Sequence, residues 1–165
     1  KNPQPVSDNL LYGEFHENSK HTTRMPYMEA VYDVLEKNHG KVIYFDFWAR
    51  WCPPCLTEME PLKQLRSKFS TNDLIIYSIC VSEPKEQWEE CLNEYSLKNC
   101  GIECVHVTDY LGIDNYQKIR KQWKIDRIPY YILINRKGQI IDFGATARPS
   151  NPQLVSRIED AVNSK

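Results

Sequence analysis

Two cysteines separated by two residues, Cys52 and Cys55, are the side chains in this sequence best arranged to do chemistry. Residues 42–47 just before them are β-branched and aromatic, the pattern of a strand buried on both faces. After them Leu56, Met59, Leu62, Leu65 and Phe69 recur at helical spacing. Cys52 therefore falls at a helix N-terminus, where free backbone N–H groups and the positive dipole end favour thiolate over thiol. Cys55 lies one turn later on the same side, close enough to close a small disulfide ring. Pro53 and Pro54 stiffen the loop at positions where a missing N–H matters least. The chemistry this predicts is thiol–disulfide exchange. Cys52 attacks a substrate disulfide, and Cys55 then attacks the Cys52 sulfur and releases the reduced substrate.

Cys55 must lose a proton in that second step, and Asp46 is the expected acceptor. A carboxylate inside Tyr44-Phe45-Asp46-Phe47-Trp48 is costly to bury, and desolvation should raise its pKa toward neutrality. The alternative is that Asp46 caps a nearby backbone group or pairs with a lysine such as Lys41. For the cysteine pair, the alternative is half of a zinc site completed by two of Cys91, Cys100, Cys104 and His106. The two prolines and the long helix that the pair is expected to open weigh against zinc.

Around the pair, the sequence alternates between helical and strand patterns. Met28, Val31, Tyr32 and Leu35 mark an amphipathic helix that stops at Gly40. Residues 74–81 form a second buried strand, Pro84 opens a helix with Trp88, Cys91, Leu92 and Tyr95 on one face, and 104–108 is a short strand. Tyr116, Ile119 and Trp123 mark a further helix. Pro129 precedes a strand at 130–134, joined by Asn135-Arg136-Lys137-Gly138 to a hairpin partner at 139–143. Asn151 and Pro152 start a last helix. Pro61 predicts a kink within the helix that follows the cysteines. Parallel crossovers plus a late hairpin require a mixed sheet covered on both faces.

With 165 residues, 41% of them hydrophobic, the chain holds one domain with a buried core. Lys and Arg total 21 against 22 Asp and Glu, which excludes the basic excess of a dedicated nucleic-acid binder. The longest uncharged run, 74–82, is half of what a membrane-spanning helix needs, so no transmembrane segment is expected. No apolar h-region lies near Lys1, and no secretory leader is read in this chain.

The segment Phe45-Asp46-Phe47-Trp48-Ala49-Arg50-Trp51-Cys52-Pro53-Pro54-Cys55 resembles the active-site segment of the thioredoxin superfamily. Arg127-Ile128-Pro129-Tyr130 resembles its second signature, a cis-proline behind the cysteine pair. The Cys-Pro-Pro-Cys element, Glu58-Met59 and a helix-plus-strand insertion at about 84–108 are similar to the extracytoplasmic TlpA/ResA-like branch, and the short helix ahead of Gly40-Lys41-Val42 resembles, more weakly, relatives from Bacteroidetes. The resemblance implies a thioredoxin-like α/β fold with a central mixed sheet. An N-terminal arm would occupy residues 1–25, reaching an edge strand, and the thioredoxin-like domain 26–165. It implies that Pro129 packs against the pair and that Ile128 backbone groups hold a substrate strand. The superfamily's helix proline is displaced here to Pro61, and no lysine stands in the 74–81 strand to partner Asp46.

The function expected is a protein-disulfide oxidoreductase with no cofactor beyond the redox-active cysteines and no metal. The dipeptide between the cysteines lacks the histidine of strongly oxidising relatives, which favours a reductase over an oxidant or isomerase; a zinc-stapled binding module is the reading from another class. No Thr-x-x-Cys supports a peroxiredoxin-type peroxidase. Partners implied are a disulfide-bearing protein substrate and a membrane thiol protein as electron donor, outside the cytoplasm, with the chain a monomer, anchored if at all through a region not in this sequence. Trp51 either packs on substrate or packs locally. Cys80 reads as a buried structural thiol, a second disulfide among Cys91, Cys100 and Cys104 is open, and His16, His21, His39 and His106 read as surface residues.

Overall fold

A computed structural model describes residues 25–164. A 3-10 turn, Pro26–Met28, leads into α1 (Glu29–Lys37), followed by β1 (Val42–Trp48), α2 (Pro53–Thr57), α3 (Met59–Lys68) and β2 (Leu74–Cys80). Then come α4 (Lys85–Glu94), β3 (Glu103–His106), α5 (Val107–Tyr110), α6 (Ile113–Gln122), the hairpin β4 (Tyr130–Ile134) and β5 (Ile140–Gly144), and α7 (Pro152–Asn163). The strands form one sheet in the order β3-β2-β1-β4-β5. β1 pairs in parallel with β2 and β2 with β3, while β4 runs antiparallel to both β1 and β5. This is the thioredoxin-like α/β arrangement. The arm at 1–24, with its expected edge strand, lies outside the described residues.

Every residue of β1 is buried, as a central strand covered on both faces must be. Its alternate side chains serve two cores. Ile43, Phe45 and Phe47 pack with Val31, Tyr32 and Leu35 of α1 and with Tyr116 and Ile119 of α6. Val42 and Tyr44 face the other way, onto Leu62 and Leu65 of α3 and Leu154 and Ile158 of α7. Trp48, last on that second face, joins Cys52, Cys55, Met59, Cys80, Cys91 and Leu92 in a third cluster. Asp46 lies between Tyr44 and Trp48 on the same face and so belongs to the side that carries the cysteines.

Two elements differ from their sequence patterns. The helix after Cys52 is not one long helix kinked at Pro61; it ends at Thr57 and restarts at Met59, with Glu58 as the joint. Pro61 has no N–H to give the Thr57 carbonyl, so the ladder fails at that rung and the break precedes the proline. The strand expected over 104–108 ends at His106. There the imidazole Nδ1 accepts the Thr108 N–H at 3.3 Å and caps α5, drawing Val107 and Thr108 into a helical turn. The hairpin turn forms as expected: Asn135 Oδ1 accepts from Lys137 N and Gln139 N, and Gly138 takes φ +83°.

Candidate active site

Cys52 stands one residue before α2 as its N-cap, in extended conformation, and is bonded to Cys55 across a Cα–Cα distance of 5.3 Å. The Cys55 N–H points at the Cys52 sulfur at 3.3 Å while also reaching the Cys52 carbonyl at 3.0 Å. Pro53 and Pro54 have no N–H to add, so this one amide is the donor that the first turn supplies to Cys52. Because α2 spans only five residues before the break, that local N–H, not a long helix dipole, is the polarising group next to the sulfur. Cys52 is buried although it stands at the helix start. It is 4% exposed and packs with Cys55, Trp48 and Ile128, its sulfur 3.8 Å from the Ile128 carbonyl oxygen.

Ile128–Pro129 is a cis peptide, as the resemblance implied. Trp51, at 68%, is the most exposed large apolar side chain among the described residues. With Val81, Tyr116, Arg120, Arg127 and Ile128 it lines a groove of about 400 Å³ that includes both the residue before Cys52 and the residue before Pro129, though neither cysteine. A larger cavity of about 550 Å³, around Arg136, Arg157 and Asp160, gathers none of the residues expected at the site.

Asp46 is buried, and its pKa is raised to about 7, first by desolvation and then by the nearby Glu58 carboxylate, against a hydrogen bond that lowers it. That bond comes from Ser78 Oγ to Oδ2 at 3.3 Å, and Oδ1 has no hydrogen-bond partner. The lysine pairing weighed above is therefore replaced by a serine. Ser78 is the register partner of Asp46 across β1 and β2, so the contact follows directly from counting both strands from Val42 and Leu74. Glu58, at the helix joint, accepts from Ser150 N at 2.9 Å and Ser150 Oγ at 2.6 Å, with Arg148 Nε 3.8 Å away.

The Ala49–Trp51 approach to Cys52 is tied down by residues that the pattern reading passed over. Ser82 Oγ accepts the Arg50 N–H at 3.0 Å and contacts Cys80 Sγ at 3.3 Å. His106, read from sequence as a surface residue, is buried and directs Nε2 to the Ser82 carbonyl at 2.7 Å. With Nδ1 accepting from Thr108, the proton must sit on Nε2. The residues offered above as further zinc ligands are turned elsewhere: Cys91 to the Arg50 guanidinium, Cys100 and Cys104 to the Leu97 carbonyl, and His106 to Ser82. Among the described residues Cys80, Cys91, Cys100 and Cys104 are free thiols.

A sheet of this order, with a Cys-x-x-Cys pair on the helix after its central strand and a cis-proline loop beside it, matches known proteins. The Redoxin family model covers residues 22–162. The chain belongs to the Redoxin family. Within the thioredoxin superfamily it is of the TlpA/ResA-like kind. It is 26% identical over 108 residues to the thiol-disulfide oxidoreductase ResA of Bacillus thuringiensis, an alignment covering 66% of this chain and 57% of that protein. The chain thus spans a little over half the length of the curated relatives it matches. Among solved structures, a candidate thiol-disulfide oxidoreductase from Bacteroides vulgatus is 34% identical, with a TM-score of 0.60 and 76% of each chain covered. The thioredoxin domain of another thiol-disulfide oxidoreductase from Bacteroides vulgatus, 23% identical, superposes with a TM-score of 0.65 over 78% of this chain and 84% of that one.

Proposed function

We propose that this Redoxin-family chain is a thiol–disulfide oxidoreductase that reduces disulfides in proteins. The observation that carries this reading is the bonded Cys52–Cys55 pair at a helix start, with the Cys52 sulfur 3.8 Å from the Ile128 carbonyl of the cis Ile128–Pro129 peptide, on the sheet face that buries Asp46. In the reduced enzyme Cys52 attacks one sulfur of the substrate disulfide, and the other substrate sulfur leaves as thiolate. Cys55 loses its proton to the Asp46 carboxylate and attacks the Cys52 sulfur. The substrate's second sulfur then departs, and the enzyme is left with the Cys52–Cys55 bond. Substrate gains two electrons; the cysteine pair loses two. Ile128 and Trp51 offer the substrate a backbone carbonyl and an aromatic face beside the nucleophile.

The reductase direction is supported by how sparingly the first turn can hold a Cys52 thiolate. With prolines at 53 and 54, Cys55 N is the first-turn donor to its sulfur, and no histidine lies between the cysteines. A thiolate stabilised so sparingly makes the dithiol form a willing electron donor, which supports reductase over oxidant. The resemblance to the extracytoplasmic branch supports a place outside the cytoplasm and a membrane thiol protein that returns the pair to its reduced state. No helix among the described residues is long and apolar enough to cross a membrane.

The test is insulin reduction with dithiothreitol as donor, together with the midpoint potential of the pair. Wild type should accelerate precipitation of the insulin B chain, Cys52→Ser should not, and Cys55→Ser should accumulate a mixed disulfide with its client. A potential near that of thioredoxin, about −270 mV, is expected. A value near the strongly oxidising end, about −120 mV, overturns the reductase assignment in favour of an oxidant, and full activity in Cys52→Ser overturns the mechanism.

A further inference from the structure

We propose that Cys100 and Cys104 form a second dithiol–disulfide couple, at the edge of the sheet and separate from the active-site pair, that exchanges with external disulfides. Both thiols are aimed at one acceptor. Cys100 Sγ lies 3.0 Å from the Leu97 carbonyl oxygen and Cys104 Sγ 3.7 Å from the same atom. Two sulfurs that share one acceptor stand on the same side of the loop, and the bond between them forms by rotation of both side chains toward each other. The turn that aims them is specific. Asn99 and Gly101 both take positive φ, and a Cβ on Gly101 would stand 3.2 Å from Arg66 Cδ, so the loop is pressed against α3 at a site that requires glycine.

Neither thiol has a better partner. Cys91, the third candidate, is fully buried and takes the Arg50 guanidinium at 3.3 Å; Cys80 contacts Ser82. Cys100 and Cys104 are both half-buried, open enough to meet a small disulfide. Their environments differ in a way that orders the chemistry. Burial, followed by the neighbouring Cys100, pushes the Cys104 thiol up to about 12, while Cys100 adjoins Gly101, which packs on the Arg66 side chain. Cys100 is the attacking sulfur and Cys104 the resolving one. The Cys100 thiolate attacks a disulfide RSSR, forming a mixed disulfide and expelling RS⁻. Cys104 then attacks the Cys100 sulfur, its proton leaving with the second RS⁻ as RSH. Two thiols and RSSR become one protein disulfide and two RSH; the pair loses the two electrons that RSSR gains.

The experiment uses the full chain carrying Cys52→Ser and Cys55→Ser, so its outcome is independent of the active-site reading. The protein is equilibrated with oxidised glutathione, its remaining thiols are alkylated in denaturant, and it is cut with trypsin and Glu-C, which cleave after Lys98, Glu103 and Lys118. The expected result is a peptide of residues 99–103 joined to one of 104–118 and separated on reduction, with alkylation confined to Cys80 and Cys91. Alkylation of Cys100 and Cys104 at every glutathione ratio, a lasting glutathione adduct on either, or a link from either to Cys91 would overturn the proposal.

Discussion

Asp46 is the residue whose chemistry is most constrained by its surroundings. It keeps one weak hydrogen bond, from Ser78, and one unpartnered oxygen, and it is held at a pKa of about 7 by desolvation. Its ordinary value is 3.8, so between about pH 4 and 7 the folded chain holds a proton that the unfolded chain has released. Stability therefore falls as pH rises across that window and levels off above it. Asp46→Asn removes the penalty. Urea unfolding should show the variant more stable than wild type at pH 8 by roughly 1–4 kcal/mol and equal to it near pH 4. The same substitution removes the proton acceptor, so insulin reduction should slow by about 10²-fold and lose its inflection near pH 7. An inflection retained in the variant would move the proton-transfer role to another group. The acid and both cysteines were legible in the sequence because each breaks a local pattern: a charge in a strand, and thiols at a strand–helix junction. Ser78 and Ser82 were not, and Glu58 was read only as part of a family motif, since small or charged residues at such places are common and only register or the fold at a distance gives them partners.

At the scale of elements, the site depends on how β2 and β3 hold the segment that leads into α2. Val81 N donates to the Trp48 carbonyl at 2.8 Å, and one residue further Ser82 takes the Arg50 amide while His106 fixes the Ser82 carbonyl. These bonds continue the sheet past its last paired residues and set the angle at which Trp51 and Cys52 leave it. Ser82→Ala leaves the Arg50 N–H without its acceptor, a loss of about 1–2 kcal/mol, and should lower Tm by roughly 2–8 °C in a thermal melt. An unchanged Tm would show that the approach to Cys52 is held by backbone pairing alone. The order of helices and strands was readable from hydrophobic period because burial of one face dictates it. The joint at Glu58 and the turn of α5 were not. The first depends on which carbonyl loses its donor, one turn before Pro61, and the second on a histidine acting as a cap, a role that its residue type does not announce.

For the molecule as a whole, the cost of packing so many ionisable groups into three contiguous clusters is concentrated at high pH. Desolvation raises the phenols of Tyr44, Tyr110 and Tyr131 well above their ordinary value of 10.0, and pushes Tyr116 and Tyr130 up to about 12, as it does the Cys104 thiol from 9.0. Tyr44 and Tyr131 are raised further by each other or by Asp46 and Glu58, whose charges share their side of the sheet. Each of these groups is protonated in the folded chain at a pH where the unfolded chain has already ionised it. Unfolding therefore releases protons, and stability must decline from about pH 9 upward, at up to about 1.4 kcal/mol per pH unit for each group involved. With several phenols acting together, the urea midpoint should fall steeply between pH 9 and 11. Phenolate absorbance should appear in the same cooperative step as loss of secondary structure, not ahead of it. Phenolate signal from most of the tyrosines while the fold persists would mean that these rings are open to solvent, and that the two cores meeting on β1 are looser than their burial indicates.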